Sequence, residues 1–90
     1  MKISSMLNTP SVKVILFLYD RGEARYADLL KLIPSRGTLS IILKELDEEG
    51  LIKRRVVASK PIRTYYSLSE KGRLVAGLLK EAKQIVRNVH

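Results

Sequence analysis

Cysteine is absent from the 90-residue sequence. That excludes disulfides, thiolate zinc sites, iron–sulfur clusters, cysteine nucleophiles and thiol-based redox sensing together. The one histidine is the last residue, His90, so a two-histidine metal site has too few ligands within one chain. The five glycines are scattered and form no phosphate-cradling loop; Gly22, Gly50 and Gly72 read as helix punctuation. The longest apolar run, Val14–Tyr19, is far shorter than a membrane span. The first twenty residues carry two lysines and one aspartate with no small-residue cleavage site after an apolar stretch, so no signal peptide is expected. The only acidic cluster, Glu45, Asp47, Glu48 and Glu49, ends an amphipathic segment without a nearby histidine and reads as a solvated helix face rather than an acid–base pair. These absences predict a soluble, cytoplasmic protein that is not an enzyme, with no cofactor, metal or evident small-molecule ligand.

What is present is positive charge, unevenly placed. Seventeen Lys and Arg against nine Asp and Glu leave +8, a balance suited to a polyanionic partner. Residues 1–49 hold seven bases and seven acids, whereas residues 50–90 hold ten bases and only Glu70 and Glu81, so the second half carries the whole excess. A chain of this length makes one domain, 1–90, small enough that oligomerisation is a natural aid to stability.

The apolar spacing orders the elements. Thr9-Pro10 starts a helix, as N-cap and first helical residue, and the segment to Asp20 is apolar around most of its circumference, which predicts a central buried helix stopped at Gly22. Ile3, Met6 and Leu7 have helical spacing but are few. Ala24-Arg25-Tyr26 reads as a single extended step, and Ala27–Ile33 as a two-turn helix closed by Pro34. After a tight connector, Pro34–Gly37, the residues Leu39, Ile42, Leu43 and Leu46 make one stripe of a helix over Thr38–Glu49. Its opposite side carries Gly37, Ile41, Lys44 and Glu48, flanked by Thr38 and Ser40, with Arg36 in the entry turn. Leu51–Ser59 and Thr64–Leu68 read as the strands of a hairpin broken at Lys60-Pro61. Ser69 then caps a long helix, Glu70–His90. Its residues Val75, Leu78, Ala82, Ile85 and Val89 recur three and four apart, as in a coiled-coil seam, and Leu74, Leu79 and Val86 widen the stripe.

This order (helix, short helix, turn, helix, basic hairpin, helix) is a winged helix-turn-helix, mainly α with a small β-hairpin. Its physical use is to place one helix, about residues 36–49, in a major groove about 12 Å wide and to lay the wing, about 52–68, on the backbone or minor groove. The predicted DNA contacts are Arg36, Thr38, Ser40, Ile41 and Lys44 on the helix and Lys53, Arg54, Arg55, Lys60 and Arg63 on an acid-free hairpin. Leu74, Leu78 and Leu79 are assigned to the chain's own core. By Ile85, Val86 and Val89 the helix outruns that core, so Val75, Leu78, Ala82, Ile85, Val86 and Val89 within 69–90 are the predicted homodimer seam.

The run Arg36-Gly-Thr-Leu-Ser-x-x-Leu-Lys-Glu-Leu, then Glu49-Gly-Leu-Ile-Lys-Arg and Pro61-x-Arg-x-x-Tyr-x-Leu-Ser-x-Lys-Gly, resembles the HxlR and MarR families of winged-helix transcriptional regulators. The likeness spans roughly Gly22 to Leu79. It implies a homodimer on a pseudo-palindromic operator, reading with Arg36, Thr38, Ser40 and Lys44 and touching flanking DNA with Arg54, Arg55, Lys60 and Arg63. The N-terminal cysteine frequent in HxlR-type sensors is missing here, so thiol sensing is not implied. Two rivals share the fold. One is a nucleoid-associated protein that coats DNA, favoured by the few base-reading forks among Gly37, Ser40 and Ile41. The other is a protein-interaction module using Ile41 and the C-terminal stripe, disfavoured by the acid-free hairpin.

Overall fold

The computed structural model describes residues 2–88. The elements run α1 (Ile3–Met6), α2 (Pro10–Arg21), β1 (Glu23–Arg25), α3 (Tyr26–Leu32), α4 (Arg36–Glu48), β2 (Ile52–Val57), β3 (Arg63–Leu68) and α5 (Glu70–Asn88). Helix ends follow capping chemistry. The Thr9 hydroxyl accepts from the Val12 N–H at 3.3 Å, with Pro10 at the first helical position, and α2 stops at Gly22, whose φ of +87° suits a residue without Cβ. The α2 core contribution is one face, Val14, Ile15 and Leu18; Leu16 and Phe17 are half-buried and Tyr19 is exposed, so this helix is less enclosed than its composition predicts.

Two boundaries shift because side chains cap earlier than apolar spacing alone indicates. Tyr26 belongs to α3, since the Asp28 carboxylate accepts from the Arg25 N–H at 3.1 Å and fixes the helix start there. Ser35 caps α4, its hydroxyl accepting from the Thr38 N–H at 3.2 Å, so Arg36 and Gly37 are the first helical residues rather than part of the connector. The Leu39, Ile42, Leu43 and Leu46 stripe is buried as its spacing requires.

The hairpin is part of a larger sheet. β1 pairs antiparallel with β3, giving the order β1-β3-β2. Three residues are too few to register as a strand in the sequence, yet Ala24, opposite Tyr66, is buried in the core. The register also sorts the wing by face, because alternate residues point to opposite sides. Ile52, Arg54 and Val56 share the core-side face with Tyr66 and Leu68, whereas Lys53, Arg55 and Val57 lie on the outer face. β1 covers β3 only from Tyr65 to Ser67, so the distal rungs and the tip project past it.

α5 departs most from expectation. Ser69 caps it, its hydroxyl accepting from the Gly72 N–H at 3.0 Å while donating to the Gly50 carbonyl at 2.6 Å. Gly72 is not punctuation: it is buried inside the helix, against the Leu51 carbonyl. Ala76 is fully buried, and Val75, Leu79, Ala82 and Val86 are half-buried on that side. Leu74 and Leu78, assigned to the core from sequence, are 69% and 68% exposed, and with Ile85 at 56% they form the exposed edge of this apolar band, facing away from Gly72 and Ala76. The predicted seam is therefore graded in exposure, with Val75, Ala82 and Val86 half-buried and Leu78 and Ile85 exposed beside them; Val89, predicted to extend it, lies outside the described residues, as does His90. Lys80 ties α5 to α2 by pairing with Asp20 at 3.1 Å, its ammonium 5.7 Å from the centre of the Tyr19 ring. No helix among the described residues is long and apolar enough to cross a membrane.

Candidate nucleic-acid interface

α3 and α4 form a helix-turn-helix, with α2 packed on both and the β2–β3 wing beside α4. Arg36, Thr38, Ser40, Ile41 and Lys44 are all exposed on α4, and Ile41 is 60% exposed. Arg36, Ser40, Lys44 and Asp47 follow one another at one-turn spacing, so Arg36 and the hydroxyls of Thr38 and Ser40 occupy the N-terminal half, Lys44 follows past the middle, and the acids Asp47 and Glu48 hold the C-terminal end. The N-terminal half is also the positive end of the helix dipole. Both effects make that half the one a polyanion approaches.

The five basic wing residues do not act as one set. Arg55 donates to Glu23 at 2.8 and 3.4 Å across the sheet and stacks on Tyr65, with its guanidinium 4.5 Å from the ring centre. Hydrogen bonding and charge from Glu23 push the Arg55 pKa up, and its positive charge is already matched. The hairpin has no acid of its own, but β1 brings one to it. Among the described residues three side-chain ion pairs form, and of the wing residues Arg55 alone takes part.

Arg54 points the other way, toward α4. It lines a cleft of ≈ 290 Å³ with Tyr26, Ser40, Leu43, Lys44, Asp47, Ile52 and Tyr66. Within it the Tyr26 and Ser40 hydroxyls lie 3.4 Å apart. Burial pushes the Tyr66 phenol up from its ordinary value, with Arg54 pulling in the opposite direction, so Tyr66 keeps its proton near neutral pH. A second cleft, of ≈ 500 Å³, lies toward the wing tip and is lined by Arg25, Ala27, Pro61, Ile62, Arg63 and Thr64 together with the same two tyrosines. The two clefts share Tyr26 and Tyr66: the first gathers Ser40 and Lys44 of α4 with Arg54 of β2, and the second gathers Arg25 of β1 with Arg63 of β3. Lys60 sits exposed at the tip, and Lys53 lies on the outer face beside Arg73, away from both clefts.

Arg25 and Tyr26 are not among the residues that the sequence singles out. The signal was available: an arginine and a tyrosine at the start of the first helix of a helix-turn-helix, the helix that crosses the DNA backbone in such modules. Reading them as part of an extended step conceals it.

A helix-turn-helix with a basic wing defines a winged-helix DNA-binding protein of the transcriptional-regulator class. Residues 10–90 match the family model described as HxlR-like helix-turn-helix, and the chain belongs to that family. It is 37% identical over 82 residues to the uncharacterized HTH-type transcriptional regulator YvaP of Bacillus subtilis, covering 89% of this chain and 76% of that protein. It is 39% identical over 69 residues to YdzF of the same organism, covering 71% of this chain and 63% of YdzF. Among solved structures, a transcriptional regulator of the MarR family from Porphyromonas gingivalis superposes with a TM-score of 0.72 at 32% identity, covering 86% of this chain and 78% of that one. Diamide-treated YodB from B. subtilis superposes with a TM-score of 0.74 at 25% identity, covering 96% and 87%. These relatives are transcriptional regulators rather than enzymes.

Proposed function

We propose that this protein is a sequence-specific regulator that binds double-stranded DNA as a homodimer in the cytoplasm, with the N-terminal half of α4 in the major groove and the wing on the adjacent backbone and minor groove. The observation that carries the reading is the convergence of Ser40, Lys44 and Arg54 from two elements on one cleft, which Tyr26 also lines. Arg36, Thr38, Ser40, Ile41 and Lys44 meet the base edges and nearby phosphates, Arg54 and Tyr26 close on the backbone, and Lys60 and Arg63 neutralise flanking phosphates. The second copy is held through the exposed Leu74, Leu78 and Ile85 side of α5, while Val75, Ala82 and Val86 serve the chain's own packing. Thiol-based sensing is not carried over from relatives, since this sequence has no cysteine.

Arg36, exposed at the first turn of α4, is the reading residue best suited to a bidentate contact with guanine. Arg36→Ala is expected to weaken binding to a preferred duplex by roughly 1–3 kcal/mol and to change binding to mixed-sequence duplex little. Titrating both duplexes by fluorescence anisotropy checks this. Equal weakening on both would make Arg36 a phosphate clamp and favour a DNA-coating role.

The wing is tested separately by salt. Replacing Lys60 and Arg63 with alanine should flatten the log–log salt dependence of affinity by about 0.9 for each phosphate left without its cation. Arg55→Ala should flatten it far less, because Glu23 already matches that charge. Equal slopes for the Lys60/Arg63 double variant and the parent would take these two residues off the DNA.

A further inference from the structure

We propose that Ile62, at the tip of the wing, is an apolar wedge that enters the minor groove and opens a base step, so that the protein bends the DNA it binds. The inference rests on the DNA-binding reading and goes beyond it by assigning a deformation and the residue that produces it. Ile62 is 70% exposed, and its neighbours at the tip, Lys60, Pro61 and Arg63, are exposed as well. A lone exposed isoleucine is ordinary on a protein surface. Its position is not. β1 leaves the distal rungs of the hairpin unpaired, and Ile62, between two cations in sequence, lines the open cleft that Arg25, Tyr26 and Ala27 also line.

The tip holds its own shape. The Ser59 hydroxyl donates to the Pro61 carbonyl at 2.7 Å, and the Ser59 N–H donates to the Val57 carbonyl at 2.9 Å. A loop closed on itself presents its side chains without ordering them on contact, which favours binding. Lys60 and Arg63 draw this loop toward phosphates, and the apolar surface that lies between two phosphate rows is the sugar and base wall of the minor groove. An isoleucine brought there loses water only by packing against that wall. Apolar side chains, isoleucine and methionine among them, are the wedges that unstack a base step and kink the duplex in minor-groove binders. The cleft beside Ile62, lined by Arg25, Tyr26 and Ala27, gives the bent backbone a cationic and hydroxyl-bearing surface to close on.

Ligase-catalysed ring closure of mixed-sequence fragments of about 150 bp, near one persistence length, reads bending without knowledge of the operator. The full chain is expected to raise closure on the order of tenfold over free DNA. Ile62→Ala should bind the same fragments with unchanged salt dependence yet lose most of that increase, and Ile62→Met, which keeps a long apolar side chain, should retain it. A parent protein that binds without promoting closure, or an alanine variant that promotes it as well as the parent, overturns the wedge and leaves the DNA-binding reading intact. Absence of any binding to duplex DNA overturns both.

Discussion

Leu78→Asp is expected to convert the protein to monomers and to weaken binding to a two-half-site duplex by about 10²–10⁴-fold, the gain that linking two binding events supplies. Leu78 is 68% exposed, with Leu74 and Ile85 in line along the same side of α5, directly opposite the side that Gly72 and Ala76 bury. Each of these side chains contributes roughly 1–2 kcal/mol when a second copy covers it, and a carboxylate among them must either stay wet or be buried unpaired. The change should not unfold the chain, because Leu78 makes no part of its core. Light scattering gives the mass, circular dichroism the fold, and anisotropy with one-half-site and two-half-site duplexes the linkage. A folded dimer with unaltered affinity would move the dimer interface elsewhere, with the exposed Ile3 and Met6 of α1 the next residues to test.

Gly72→Ala is expected to destabilise the fold by at least about 1–3 kcal/mol, the usual range for forcing a methyl group into a packed site. A Cβ at this position would fall on the Leu51 carbonyl oxygen and press on the Leu68 side chain at 3.3 Å. Neither neighbour can yield easily. The Leu51 carbonyl also accepts from the Ser69 N–H at 2.9 Å, and Leu51 follows directly on Gly50, whose own carbonyl takes the Ser69 hydroxyl. The substitution therefore pries α5 from the start of the wing. Gly37→Ala is the control, since its Cβ would meet nothing within 4 Å and φ there needs no glycine. Chemical denaturation should show a lower midpoint for Gly72→Ala and little change for Gly37→Ala. Similar midpoints for both would mean that the packing around Gly72 relaxes freely.

Gly72 illustrates where the sequence stops being legible. Its neighbours carry helical spacing, and a glycine at the start of a helix reads as a boundary; only the approach of a distant backbone reveals that it is there for want of a side chain. The stripes of α4 and the caps at Thr9 and Ser69 are readable because they depend on residues three or four positions apart. What depends on partners far along the chain is not. β1 becomes a strand through pairing with β3, Arg55 loses its free charge to Glu23, and Arg54 turns toward α4 because the register with Tyr66 puts it on the core-side face. The division of the α5 stripe into a half-buried and an exposed edge is hidden in the sequence for the same reason, since a wide apolar stripe does not say which part its own fold will use. For the interface, residue type locates α4 and the wing, and the addition of Arg25 and Tyr26 requires the clefts between them.

Selection of bound sequences from random duplex DNA bears most directly on sequence-specific recognition by paired α4 helices. The expected result is an enriched, pseudo-palindromic motif whose half-sites are centred one helical turn apart, about 10–10.5 bp, or a multiple of it, so that both helices meet the same side of the duplex. Recovery of DNA with no enriched motif, at affinities that differ little among sequences, would contradict that claim and leave a protein that coats DNA through its charge.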